Sequence, residues 1–131
     1  MNIDRFVGIP YCPRRMDCAD LAMLVQRELF GREVVIAGRR PRPLNAGDQD
    51  AAIAAYCDQL AEPIAQPQDG DIVLMREGGQ SMAGHVGTYF FLNYAPCVLH
   101  TAAWMQGGSS LHRLQDLGGF GLTVMGYYRW K

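Results

Sequence analysis

The chain has 131 residues, 49% of them hydrophobic and 19% charged, which suits one globular domain with one core over residues 1–131. A formal net charge of -1 argues against nucleic acid as the main partner. No apolar stretch approaches the ~20 residues that would span a bilayer, so no membrane insertion is expected.

Met1 to Gly8 carries Asp4 and Arg5 and no apolar run, so no signal peptide is visible; synthesis in the cytoplasm is expected, with any export by another route. Arg5 to Ile9 reads as a short helix or an extended lead-in. Gly8 and Pro10 then turn the chain toward Tyr11 and the short loop Cys12-Pro13-Arg14-Arg15.

Residues 16–31 read as one amphipathic helix. Asp17 is suited to the N-cap, Leu21, Leu24, Val25 and Leu29 form a buried face, and Gly31 suits a left-handed end. Cys18 falls in the first turn, where unpaired N–H groups and the helix dipole favour a thiolate. By itself this cysteine fits a buried small hydrophobe as well as a nucleophile.

Glu33 to Ala37 is a short apolar run. Gly38 to Gly47 is an irregular Arg/Pro/Gly stretch, and its Arg39, Arg40 and Arg42 read as a solvated loop. A second helix is expected over 48–60, with Ala52, Ile53, Tyr56, Cys57 and Leu60 on its apolar face and Glu62-Pro63 ending it. Cys57 within that stripe reads as structural.

From residue 66 the pattern becomes two-fold. Strands are expected over 72–75, 85–92, 97–101, 111–114 and 122–130, with Glu77 to Ser81 as a loop and a break at Gly118-Gly119. Helices first and strands after is an α+β arrangement, with helices packed on a meandering antiparallel sheet of about five strands.

The four cysteines, Cys12, Cys18, Cys57 and Cys97, form no CxxC pair. Free thiols are expected, and the spacing to the three histidines matches no standard zinc pattern. A thiol nucleophile needs a base and a group to orient that base. His85 opens one strand and His100 lies near the end of the next, so a short turn between them would set the two imidazoles side by side. With the cysteine helix against that sheet, Cys18, His85 and His100 would form a line. His85 would take the thiol proton, and His100 would fix the tautomer of His85. His112 follows the Gly-rich loop, shares no strand with the other two and reads as an ordinary core or surface residue.

Five segments occur here in the order and at the intervals found in NlpC-type cell-wall peptidases, which are papain-like cysteine enzymes. They are Gly8-Ile9-Pro10-Tyr11, Asp17-Cys18-Ala19-Asp20-Leu21, Pro67-Gln68-Asp69-Gly70-Asp71-Ile72-Val73, Gly84-His85-Val86-Gly87-Thr88-Tyr89 and Val98-Leu99-His100-Thr101. The chain resembles that family over most of its length. The resemblance implies a papain-like fold, Cys18 as nucleophile, His85 as base and His100 as the third polar residue. It implies Asp17 beside the substrate pocket and Tyr11 near the nucleophile. The implied substrate is a peptidoglycan stem peptide, cut at the γ-linkage of D-glutamate to the diamino acid, with no cofactor and a reduced thiol. The family's W-G-G is replaced by Cys12-Pro13-Arg14-Arg15, and the Ser-Gly after the nucleophile by Ala19-Asp20; both changes alter the pocket rim. The Asp-Cys-Ala-Asp-Leu variant and the Gly126-Tyr127-Tyr128-Arg129 ending resemble phage-tail-associated members, which implies tail proteins as partners and delivery to the cell wall by a virion or lysis. Two other readings stand beside this one: a thiol amidase or acyltransferase on another acyl substrate, and a non-catalytic tail structural or assembly protein.

Overall fold

A computed structural model describes residues 2–13, 15–34, 57, 59–79 and 84–131. The expectations for Gly38 to Gly47, and for most of the helix over 48–60, lie outside the described residues; Cys57, Gln59 and Leu60 are helical. Asp4–Phe6 forms a 3-10 turn, followed by helix α1 (Cys18–Phe30). The strands are β1 (Ala61–Ile64), β2 (Ile72–Glu77), β3 (His85–Leu92), β4 (Ala95–His100), β5 (Ser110–Arg113) and β6 (Leu122–Trp130), with a 3-10 helix at Leu114–Phe120. The fold is α+β.

The sheet is antiparallel in the order β1-β6-β2-β3-β4-β5. Strands β2 to β5 form a meander, but β6 returns to insert between β1 and β2. The expected sheet of about five strands therefore gains one. Glu62-Pro63 does not end a helix; it lies in β1, whose residues Ala61 to Ile64 pair with Trp130 to Tyr127. An edge strand tolerates Pro63 because one side of its backbone has no partner strand to donate to. Residues 114–120, expected to hold a strand end and a glycine break, form the 3-10 helix instead.

Alternation along the strands gives the sheet two buried faces. On one, α1 packs Leu21 and Val25 with Phe90 and Leu99, while Cys18 and Ala19 cluster with Ile72, Leu74, Val86, Cys57 and Trp130. On the other, Val73, Met75, Tyr89 and Val98 pack with Leu117 and Leu122. Covering both faces explains why the first six residues of β3 are buried without a polar face.

The turn before β2 is locked to both neighbours. The Gly70 carbonyl accepts from buried Gln26 Nε2 at 2.8 Å and from Trp130 Nε1 at 3.2 Å. Gly70 has φ +94°, and a Cβ there would lie 2.7 Å from the Phe30 ring, so only glycine fits. Buried Asp71 accepts a two-pronged bond from Arg129, at 2.9 and 3.1 Å. Such forked pairs fix geometry as well as charge. Together these bonds set the depth of α1 against the sheet.

Candidate active site

The start of α1 is built by reciprocal capping. Asp17 is extended; its Oδ1 accepts from Asp20 N–H at 2.9 Å, and Asp20 Oδ2 accepts from Asp17 N–H at 3.1 Å. Two N–H groups with no helical partner are thereby satisfied. Asp20, where the family pattern has glycine, is the second half of this cap. Cys18 is the first residue of the helix, 8% exposed, at the positive end of the dipole. Gly31 ends the helix at φ +64°.

The segment leading to the helix is clamped by Ser109, which is buried. Its Oγ donates to the Phe6 carbonyl and accepts from Ile9 N–H at 2.9 Å, and its backbone bonds Gly8 and Ile9 at 2.7 and 2.9 Å. Cys12 and Met16 then pair antiparallel at 3.0 and 2.8 Å, closing a tight loop directly before Asp17. Tyr11 lies half-buried between these two fastenings.

His85 opens β3 opposite Met75. Two residues on, Gly87 leaves no room for a helix or ligand. A Cβ on Gly87 would overlap the Val98 side chain and come within 2.9 Å of the Leu99 carbonyl and 3.0 Å of His100 Cβ. The missing side chain lets β4 close on β3. His85 Nε2 then lies 2.8 Å from His100 Nδ1.

The line continues. His100 Nε2 lies 2.8 Å from His112 Nδ1. His112 shares no strand with the other two, as the sequence indicates, but the sheet brings it into contact with His100. Ser110 pairs with His100 and Val98 with His112, so His100 and His112 lie diagonally on one face of neighbouring strands. The three rings are joined in series through Nε2-to-Nδ1 contacts, with adjacent centroids 5.0 Å apart. Aromatic side chains close around the outer end. His112 stacks on Phe120 at 4.3 Å, Phe120 stacks on Trp104 at 5.8 Å, and Trp104 meets His100 edge-on at 6.5 Å. Glu77, expected in a loop, is the last residue of β2; its Oε1 lies 3.6 Å from His85 Nδ1.

Burial decides the protonation of the line. His85 is 2% exposed and His100 is fully buried. Desolvation holds His85 down to about 4, with the Asp17 charge partly opposing it. Desolvation, then the neighbouring imidazoles, hold His100 down to about 2. Burial also lowers His112, against a smaller opposing effect of Asp116. All three rings are therefore neutral at pH 7.

The histidines lie on the face opposite α1, and the two sets approach at the start of β3. There Cys18 clusters with Val86, the neighbour of His85, and the charge of Asp17 acts on His85. Sequence reasoning missed His112, Glu77, Trp104 and Phe120. All four cysteines are thiols. Among the described residues, no three His, Cys, Asp or Glu side chains are grouped so as to hold a metal ion, and no helix is long and apolar enough to cross a membrane. No protein-family model, curated protein or solved structure matches the chain.

Proposed function

We propose that this protein is a papain-like cysteine peptidase of NlpC type that hydrolyses an amide bond in peptidoglycan stem peptides. One observation carries the reading. A cysteine opens a helix whose N-cap charge acts on a buried, neutral imidazole, and the far nitrogen of that imidazole is held by a second histidine. The ordered resemblance of five sequence segments supplies the substrate class.

With Nε2 of His85 engaged by His100, Nδ1 is the nitrogen that serves as base. It accepts the Cys18 proton as the thiolate attacks the substrate carbonyl carbon. Asp17 and Glu77, with the thiolate itself, offset the burial cost of the imidazolium that forms. The Cys18 N–H, at the first helical position, stabilises the oxyanion. His85 Nδ1–H then protonates the departing amine, leaving a thioester on Cys18. Water, deprotonated by the same nitrogen, releases the acyl group and restores the thiol. The γ-D-glutamyl linkage to the diamino acid is the bond the resemblance favours, and phage-tail delivery is the matching route to the wall.

The test is digestion of purified sacculi and defined stem peptides by wild type and Cys18→Ala, read by mass spectrometry. New peptide termini with wild type only are expected, and they identify the bond. Products that form only when an acceptor amine is added would move the reading to acyl transfer. No products from folded, reduced wild type would overturn it in favour of a structural tail protein.

A further inference from the structure

His112 has no part in the reaction as written above, yet the fold spends considerable structure on it. Its Nδ1 meets His100 at 2.8 Å, and its ring lies flat on Phe120, 21° from parallel. Phe120 is backed by Trp104, which returns to His100. The four rings His100, His112, Phe120 and Trp104 close a circuit drawn from β4, the β4–β5 loop, β5 and the 3-10 helix. Trp104 and Phe120 are 43% and 46% exposed, so their apolar surface is only partly withdrawn from water.

A neutral imidazole carries one N–H and one lone pair. Three neutral rings in series, with both contacts at 2.8 Å, satisfy each contact only if it holds one proton. Two arrangements do so. In one, every ring is protonated at Nε2: His85 donates to His100, His100 donates to His112, and His85 Nδ1 is bare. In the other, every ring is protonated at Nδ1, and His85 Nδ1 carries a proton where a base is needed. A mixed arrangement leaves either two facing protons or two facing lone pairs. The tautomers of the three rings are thus tied together, and the outer ring has a say in the inner one. The charges that bear on this balance are Asp17 and Glu77 at His85 and Asp116 at His112.

We infer that His112 is a positioning residue of the proposed reaction: held by Phe120 and Trp104, it accepts from His100 Nε2–H and so keeps Nδ1 of His85 bare. This rests on the peptidase reading for its purpose, but the tautomer it asserts does not depend on any substrate.

The test uses the full chain with two variants. His112→Phe keeps a ring for the Phe120 stack and removes the acceptor; His112→Asn returns an amide oxygen near the Nδ1 position. Imidazole nitrogen NMR reports the tautomers, and peptide mapping after iodoacetamide treatment reports the alkylation rate of Cys18 against pH. In wild type, His85 and His100 are expected in the Nε2–H form. In His112→Phe, His85 should lose that single tautomer. Cys18 alkylation at pH 7 should fall on the order of tenfold, the lower end of what a lost orienting partner costs, and His112→Asn should recover it. An Nδ1–H tautomer at His85 in wild type overturns the inference without any variant. So does a folded His112→Phe protein with wild-type tautomers and an unchanged alkylation profile. If wild-type Cys18 is no more reactive than free cysteine while the tautomers respond as expected, the peptidase reading fails and the coupling of the rings stands.

Discussion

The buried imidazoles make a pH-dependent stability that can be worked out in advance. Lowering the pH from 7 to 5 is the perturbation. Unfolded, each histidine takes up a proton near its ordinary value of about 6.5. Folded, His85 does so only near 4 and His100 only near 2. Between those limits the unfolded state binds more protons, so the stability is present above about pH 6.5 and is lost as the pH falls, toward about 4 for His85 and about 2 for His100. Each such proton is worth about 1.4 kcal/mol per pH unit. From pH 7 to 5, each ring then costs about 2 kcal/mol and the two together about 4 kcal/mol. His112 adds in the same direction. A loss of this size is a large fraction of the 5–15 kcal/mol typical of a domain. Urea unfolding at pH 7, 6 and 5 measures it, with His85→Gln/His100→Asn as the control that keeps every carboxylate. A wild-type loss no greater than that of the double variant would refute the argument that these rings are buried neutral.

Three substitutions probe how the site is held together. Gly87→Ala should destabilise by roughly 1–3 kcal/mol, as overpacking does, because its Cβ must displace Val98 from β4; denaturation reads the loss, and weakened His85–His100 coupling should accompany it in NMR. Asp17→Asn keeps an acceptor for Asp20 N–H and removes the charge, so thermal stability should change by less than the ~1 kcal/mol of a lost cap, while His85 titrates lower still. Ser109→Ala leaves the Phe6 carbonyl and Ile9 N–H without their shared partner and should cost about 1–3 kcal/mol, with faster amide exchange over residues 6–11.

How much of this was legible in the sequence follows from how local each signal is. The bounds of α1 were readable because Asp17 and Gly31 act on their own helix ends, and β3 and β6 because each is a run rich in β-branched and aromatic residues set off by glycine or asparagine. The β3–β4 hairpin, and with it the approach of His85 to His100, follows from the short turn at Asn93-Tyr94. Strand β1 was not readable: its partner β6 lies at the far end of the chain, and Pro63 imitates a helix stop. His112 was missed for a related reason. Its contact with His100 depends on the β4–β5 register, which is set by the route of the loop over 101–109. That route is fixed by tertiary bonds, Ser109 to Phe6 and Ile9, and by Gly108 at φ +83° packed against the Ile9 backbone. Glycine-rich residues 114–120 carried no helical period, yet Leu117 finds a place in the core.

The central claim is that Cys18 becomes acylated. Rapid quenching of wild type with a defined stem peptide, followed by intact-mass and peptide mass spectrometry, tests it directly. A transient adduct of the acyl fragment's mass is expected on the peptide that contains Cys18, and none on those containing Cys12, Cys57 or Cys97. Peptide cleavage with no adduct, or an adduct on another cysteine, would contradict it.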